Sequence, residues 1–263
     1  MGESAPPAWR YLVSPPLTGA ENMAWDDALM ARARRTGESV LRVYAWASPT
    51  LSLGRNQTAR DAYDLERASA AGVGIVRRPT GGRALLHHHE VTYSVTAPET
   101  LDSSLRDTYT RINELLLDAL QALGVPATLA TPAARASAPG LAPCFAEPSA
   151  GEIVLGGAKL VGSAQWRHAG ALLQHGSILI RDDQPLIAGL LRQRSELPVP
   201  PAATLQSALA AEPSFAQVAD ALVASLKRRE AQHAEPLMID APLARDIDAS
   251  IEHYRDPGWT WRR

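Results

Sequence analysis

The sequence predicts a single domain of intermixed strands and helices, and three features predict it. Two strand–glycine–strand segments, residues 77–94 (RRPTGGRALLHHHEVTYS) and 156–176 (GGAKLVGSAQWRHAGALLQHG), carry the β-branched, aromatic and alternating content of sheet. After the first of them, Leu105, Ile112, Leu115, Leu116, Ala119, Leu120 and Leu123 recur at helical spacing as far as Gly124. A chain of 263 residues that is 46% hydrophobic is also long and apolar enough to bury a sizeable core.

Each element has a local reason. From Thr18, TGAENMAWDDALMARARRTG sets Met23, Asp27, Met30 and Arg34 along one helical row, and Gly37 supplies the stop. In SVLRVYAW, Val40, Arg42, Tyr44 and Trp46 alternate with Leu41, Val43 and Ala45, the period of a strand. Pro49 and Gly54 bracket a second short strand, TLSL. RDAYDLERASAAG reads as a short helix ending at Gly72, and GVGIVRR as a strand entering the first motif. Ser104 with Asp107 makes a capping-box-like start for the long helix. Residues 131–143 (TPAARASAPGLAP), poor in large apolar groups, predict a mobile surface loop leading to Cys144.

GALLQHGSILIRDD is a strand pair or one long bent strand, and residues 194–201 (RSELPVPP) form a linker. Ser214 with Gln217 caps a helix, FAQVADALVASLKRR, and a last short helix, LARDIDASIEHY, precedes a Trp-rich basic tail, WTWRR. The residues after 201 are too few and too lightly apolar for a domain of their own. One domain spanning 1–263, with a helical C-terminal appendage at about 202–263, is therefore expected.

Composition removes several function classes. A net charge of −2 argues against general nucleic-acid binding, which needs a strong positive field. No run approaches the roughly 18 apolar residues of a membrane helix, so no membrane partner is expected. The start, MGESAPPAWR, lacks the features of a signal peptide and matches a myristoylation pattern only loosely. A lone cysteine, Cys144, leaves no internal disulfide and suits a reducing cytoplasm.

Glycine pairs let backbone approach a ligand or a strand with no Cβ in the way. The two motifs accordingly read as walls of one slot, with Cys144 and Lys159 facing into it. Cys144 is either a buried structural thiol or a nucleophile; it ends a polar loop and does not lie within an apolar strand. Alternation sends Lys159 and Val161 to one face and Leu160 to the other, and the competing reading is a solvated strand lysine. Beside the sulfur, the ammonium would favour a thiolate and hold a developing oxyanion.

His87 and His89 would share a strand face with His88 opposite, and apart from Glu90 no ligand spacing supports a metal, so none is expected. His175 is open between a base for the thiol and a histidine bonded to backbone. Arg77, Arg78 and Arg83 have the planar forks that bind phosphate or carboxylate. TGGR lacks both the P-loop and the GxGxxG fingerprints, which sets those two classes aside.

Together RRPTGGRALLHHHEVTYS, CFAEPSAGEIVLGGAKLVGSAQ and LQHGSILI, with NMAWDDALM and LSLGRNQ upstream, resemble the lipoate-attachment branch of the biotin/lipoate protein ligase family. The likeness runs from Trp9 to Arg181. It implies an α+β fold like the class II synthetase core, a mixed and largely antiparallel sheet flanked by helices. Within that family, ligases use ATP and Mg to make an acyl-adenylate, whereas octanoyltransferases pass the acyl group through an enzyme thioester. The chain resembles the cysteine-dependent octanoyltransferase type on three counts. Arg83 replaces a third glycine, Cys144 falls where that type carries its nucleophile, and the ligases' accessory domain is missing.

The resemblance then implies catalysis by Cys144 and Lys159 without a cofactor, ATP and Mg belonging only to the ligase alternative; a non-catalytic binding module is the third possibility. Substrate contacts are expected at Arg77, Gly81, Gly82, Arg83, His87, Gly162, Ser163, Ala164, His175 and Gly176. Leu85, Val161 and Ala164 would line the acyl slot, with backbone N–H groups near Gly82 or Gly162 as oxyanion donors. The implied donor is octanoyl-acyl carrier protein, and the acceptor a lysine of a lipoyl domain or of glycine-cleavage H protein. Arg32, Arg34 and Arg35 are one candidate patch for an acidic carrier. The chain departs from the pattern at His88, where relatives carry an acid, and at Ala150–Gly151, where they carry bulkier aromatics.

Overall fold

The computed structural model describes residues 8–99, 104–131, 144–146, 149–193 and 200–263. The loop expected at 131–143 and the linker at 194–201 therefore lie almost wholly outside the described residues. In chain order the strands are β1 (Trp9–Val13), β2 (Ser39–Tyr44), β3 (Thr50–Leu53), β4 (Gly74–Arg77), β5 (Leu85–His87), β6 (Glu90–Pro98), β7 (Thr128–Leu129), β8 (Ile153–Leu155), β9 (Ala158–Lys159), β10 (Val161–His168), β11 (Ala171–Leu179) and β12 (Glu235–Pro236). The helices are α1 (Gly19–Thr36), α2 (Leu65–Ala70), α3 (Leu105–Ala122), α4 (Leu186–Leu190), α5 (Leu205–Ala208), α6 (Phe215–Arg229), α7 (Ala241–Arg255) and α8 (Pro257–Thr260).

The long helices start where side chains cap them. Thr18 and Glu21, Ser104 and Asp107, and Ser214 and Gln217 each form a reciprocal capping box at the head of α1, α3 and α6. Gly37, at φ 73°, ends α1 in the left-handed conformation that favours glycine.

The principal sheet runs β10-β11-β6-β2-β1-β12. It is antiparallel from β10 to β2 and parallel across β2, β1 and β12. Alternation along β2 separates two layers. Leu41 and Val43 face α3 and α6 in the main core, while Val40 joins the layer that α1 and α7 build. The C-terminal stretch read as an appendage is helical, and it is part of both layers. Val218, Leu222 and Leu226 of α6 enter the main core, Leu243 and Ile247 of α7 pack with α1, and β12 extends the sheet. The tail also packs on the body, with the Trp259 indole donating to the Arg77 carbonyl at 2.8 Å. No helix among the described residues is long and apolar enough to cross a membrane.

Two small sheets flank this frame, β4-β3-β5 and β7-β8-β9. One open alternative is settled and two local readings change. The segment after Gly170 is one strand, β11, and only Leu65–Ala70 of the RDAYDLERASAAG stretch is helical. Lys159 and Val161 do not share one strand face, because the chain changes sheets between them. Lys159 pairs with Val154 in the small sheet, Leu160 donates to Ile153, and Val161 opens β10 of the principal sheet.

Candidate active site

The β8–β9 hairpin turns through Gly156 and Gly157, both with positive φ, as a two-residue hairpin requires. Its register pairs Val154 with Lys159. Period-two alternation then puts Glu152, two residues before Val154, on the same face as Lys159. The result is a buried ion pair, Lys159 Nζ to Glu152 Oε1 at 2.8 Å, with Lys159 only 3% and Glu152 only 5% exposed. The other Glu152 oxygen accepts the Ser149 N–H at 2.6 Å.

The same ammonium lies 3.6 Å from Cys144 Sγ and donates to the Cys144 carbonyl at 3.0 Å. Burial pushes Lys159 down, but the Cys144 sulfur and the Glu152 carboxylate outweigh it and hold the amine above its ordinary value. Lys159 is thus neither solvated nor a wall residue; it stands behind the sulfur. Cys144 begins a short 3₁₀ turn, Cys144–Ala146, is half-buried, and is anchored by its N–H on the Ala84 carbonyl at 3.0 Å. Phe145 packs between Leu85 and Leu179 and, with Lys159, leaves room for no Cβ at Gly162 without a shift.

The sulfur borders a slot enclosing about 420 Å³, its open mouth included. Gly82, His87, Gly162, Ser163, Ala164, His175 and Gly176, all expected at the site, line it together with Cys144, as does Leu85. Arg77, Gly81, Arg83 and Val161 are not among the lining residues. Arg77 instead donates to the carbonyls of Gly54, Gln57 and Thr260. Close backbone contacts shape the walls. A Cβ on Gly54 would overlap the Gly82 carbonyl, and one on Gly176 would overlap the Gly162 carbonyl and sit 2.8 Å from the Tyr93 ring.

His175 is not bonded to backbone. Its Nδ1 faces Asp26 at 2.9 Å and its Nε2 faces the Thr80 hydroxyl at 2.6 Å. Burial pushes His175 below its ordinary 6.5 against the pull of Asp26, so the ring is neutral, donates its Nδ1–H in a hydrogen bond to Asp26 and accepts from the Thr80 hydroxyl. Fully buried Asp26 also accepts from Arg42, Tyr44 and Ser94. His87 bridges Glu90 and Ser52, each at 2.8 Å, and stacks on Trp46 at 3.9 Å between centroids.

His88 and His89 lie in the turn after β5, not in a strand, so the shared face expected for His87 and His89 does not exist. Both rings turn to Asp183, at 2.9 and 3.2 Å, and the three groups stand within 4.8 Å of one another. Of the expected carrier patch, Arg32 is bound to Glu38 and Asp240, Arg35 to Asp246, and Arg34 to the His168 carbonyl.

Sequence reasoning missed Glu152, Asp26 and, as a wall residue, Arg78. The glycine pair at 156–157 was the signal that could have found Glu152, since a two-residue hairpin dictates its register. Asp26 had no such signal, because its partners lie on distant elements.

A sulfur and an ammonium set behind an apolar slot, on a mixed sheet covered by helices on both faces, define a family. The chain belongs to the lipoyl protein ligase A/B catalytic-domain family, matching it over residues 18–227. It is similar to octanoyltransferase LipM of Kyrpidia tusciae, at 45% identity over 196 residues covering 72% of each chain. It is also similar to octanoyltransferase LipM of Symbiobacterium thermophilum, at 37% identity over 270 residues, 97% of this chain and 98% of that one. Among solved structures, a lipoate protein ligase of T. acidophilum with bound lipoic acid superposes with a TM-score of 0.77 at 22% identity, covering 97% of this chain and 99% of that one. Lipoate-protein ligase A bound with ATP gives 0.78 at 21% identity, covering 97% and 98%. The α+β fold is therefore the one the sequence implies.

Proposed function

We propose that this chain is an octanoyltransferase of lipoate assembly, working in the cytoplasm and carrying the acyl group as a thioester on Cys144. One observation carries the reading: the only cysteine stands 3.6 Å from a buried ammonium at the edge of an apolar slot, in a chain whose relatives are octanoyltransferases. Making an amide from a free acid requires activation by ATP, but a thioester on acyl carrier protein is already activated. Exchange onto a second thiol is nearly neutral, and covalent catalysis divides one hard step into two easier ones.

The Cys144 thiolate attacks the octanoyl carbonyl. A C–S bond to Cys144 forms, the C–S bond to the carrier breaks, and the carrier thiolate takes up the proton that Cys144 gave away. Lys159 holds the Cys144 turn through its carbonyl, and Glu152 holds Lys159. The acyl tail lies along Leu85 and Ala164. The ε-amine of a lysine on a lipoyl domain or glycine-cleavage H protein next attacks the acyl-enzyme. An amide forms, the amine's proton leaves to solvent, and the Cys144 thiolate returns.

The test uses octanoyl-acyl carrier protein without ATP, followed by intact mass measurement. One octanoyl group should be gained by the chain, not by Cys144→Ala, and released by hydroxylamine. No adduct, with acceptor acylation that needs ATP, overturns the reading in favour of a ligase.

A further inference from the structure

Arg78 follows β4 directly and is 5% exposed. Its donors go to the Ser52 carbonyl and hydroxyl at 2.9 and 3.0 Å, to the Gly81 carbonyl at 2.8 Å and to the Arg83 carbonyl at 2.7 Å. Among the described residues no carboxylate bonds to it. That sets it apart from three other buried cations. Arg42 has Asp26, Arg32 has Glu38 and Asp240, and Lys159 has Glu152. Arg77 also lacks a carboxylate among the described residues, but it faces the C-terminal tail and does not line the slot. Arg78 and Cys144 border the same slot.

A buried cation with no counter-ion is costly, and it persists where a site calls for an anion. The charges around the sulfur say which anion. Glu152 cancels Lys159, so ionising the thiol against that pair alone would leave the half-buried site with a net negative charge. With Arg78 included, Cys144, Lys159, Glu152 and Arg78, taken among the described residues, carry one positive charge before ionisation and none after it. Two titratable neighbours among the described residues, His175 and Tyr109, do not supply that charge. Burial keeps His175 uncharged, and it pushes the Tyr109 hydroxyl far up, leaving it neutral. Burial pushes Arg78 itself down, and the sulfur's charge is the largest influence working the other way.

We propose that Arg78 supplies the counter-charge for the Cys144 thiolate, while Lys159, already balanced by Glu152, positions the sulfur. Arg78 is a fixed charge, since its hydrogen bonds to the Gly81–Arg83 turn leave the guanidinium no freedom to swing. The assignment rests on the thioester reading above, but its test needs no acyl donor.

The thiolate is the form that iodoacetamide alkylates. The rate of Cys144 alkylation at pH 7 should fall on the order of tenfold in Arg78→Gln, the effect of one unit in thiol ionisation. Arg78→Lys should recover most of it. Glu152→Gln uncovers the Lys159 ammonium beside the sulfur and should raise the rate, the control showing that alkylation reads the net charge at Cys144. Wild-type alkylation in Arg78→Gln, an equal loss in Arg78→Lys, or no gain in Glu152→Gln overturns the proposal. If Arg78→Gln does not fold, Lys159→Met/Glu152→Gln decides it: with that neutral pair gone Arg78 should still hold Cys144 alkylation near the wild-type rate, and a loss on the order of tenfold overturns the proposal. A chain that alkylates as expected yet takes up no octanoyl group keeps this charge assignment and loses the thioester reading.

Discussion

Replacing Lys159 by methionine removes the ammonium and keeps most of the side-chain volume. Its consequence for folding follows from the pair it breaks. Glu152 is 5% exposed and is left as an unpaired charge in the interior. Breaking a buried pair by removing one partner costs roughly 3–5 kcal/mol. For a chain of this length each kcal/mol lowers the melting temperature by about 2–4 °C, so the loss is roughly 6–20 °C. The double variant Lys159→Met/Glu152→Gln carries no stranded charge and should recover most of that stability. Acylation should stay at least about 100-fold below wild type in both, since the carbonyl bond that seats Cys144 is gone. Thermal unfolding followed by circular dichroism gives the first quantity, and time-resolved intact mass gives the second. A single variant that melts within 2 °C of wild type, or a double variant no more stable than the single, refutes the buried-pair argument.

Three other perturbations probe the walls and the polar core. Gly54→Ala drives a Cβ into the Gly82 carbonyl, so the TGGR turn must move. Acyl-enzyme formation should drop about 100-fold with a stability loss of about 1–3 kcal/mol, and wild-type acylation in this variant would show that the turn does not form the wall. Asp26→Asn strands fully buried Arg42 and should cost about 3–5 kcal/mol in chemical denaturation; a neutral result would mean that Arg42 finds another partner. Acid should destabilise the chain from two sources of the same sign. Burial drives His175 below 6.5, so the unfolded chain binds that proton first and stability falls as pH drops below about 6.5. Burial pushes Asp26 up, but the His175 bond and the Arg42 charge hold it below 3.8, so its contribution is complete above about pH 4 and is lost below. Denaturation at pH 7.5, 6, 5 and 4 should therefore give steadily falling stability, and a flat profile down to pH 5 would contradict the assignment of a neutral His175.

What could be read in advance was mostly local. The capping boxes at Ser104 and Ser214 and the alternation along β2 depend on neighbours within four residues, and they stand where the pattern put them. The rest needed distance. The face shared by Lys159 and Val161 failed because Leu160 hands the chain from one sheet to another, and alternation does not announce a change of partner strand. The intramolecular partners of the candidate patch Arg32, Arg34 and Arg35 were hidden for the same kind of reason. Asp240, the partner of Arg32, and Asp246, the partner of Arg35, lie more than two hundred residues away.

By itself the sequence determined the long helices and the central strands, where glycine must stand, and that the lone sulfur and Lys159 belong to one motif set. Only the tertiary structure decided the charges around that sulfur. It gave Lys159 a carboxylate, left Arg78 without one among the described residues, and tied His175 to an aspartate 149 residues away. The physical reason is that periodicity encodes burial, a one-body property of each side chain. Charge balance belongs to pairs and triplets that meet only when distant elements pack.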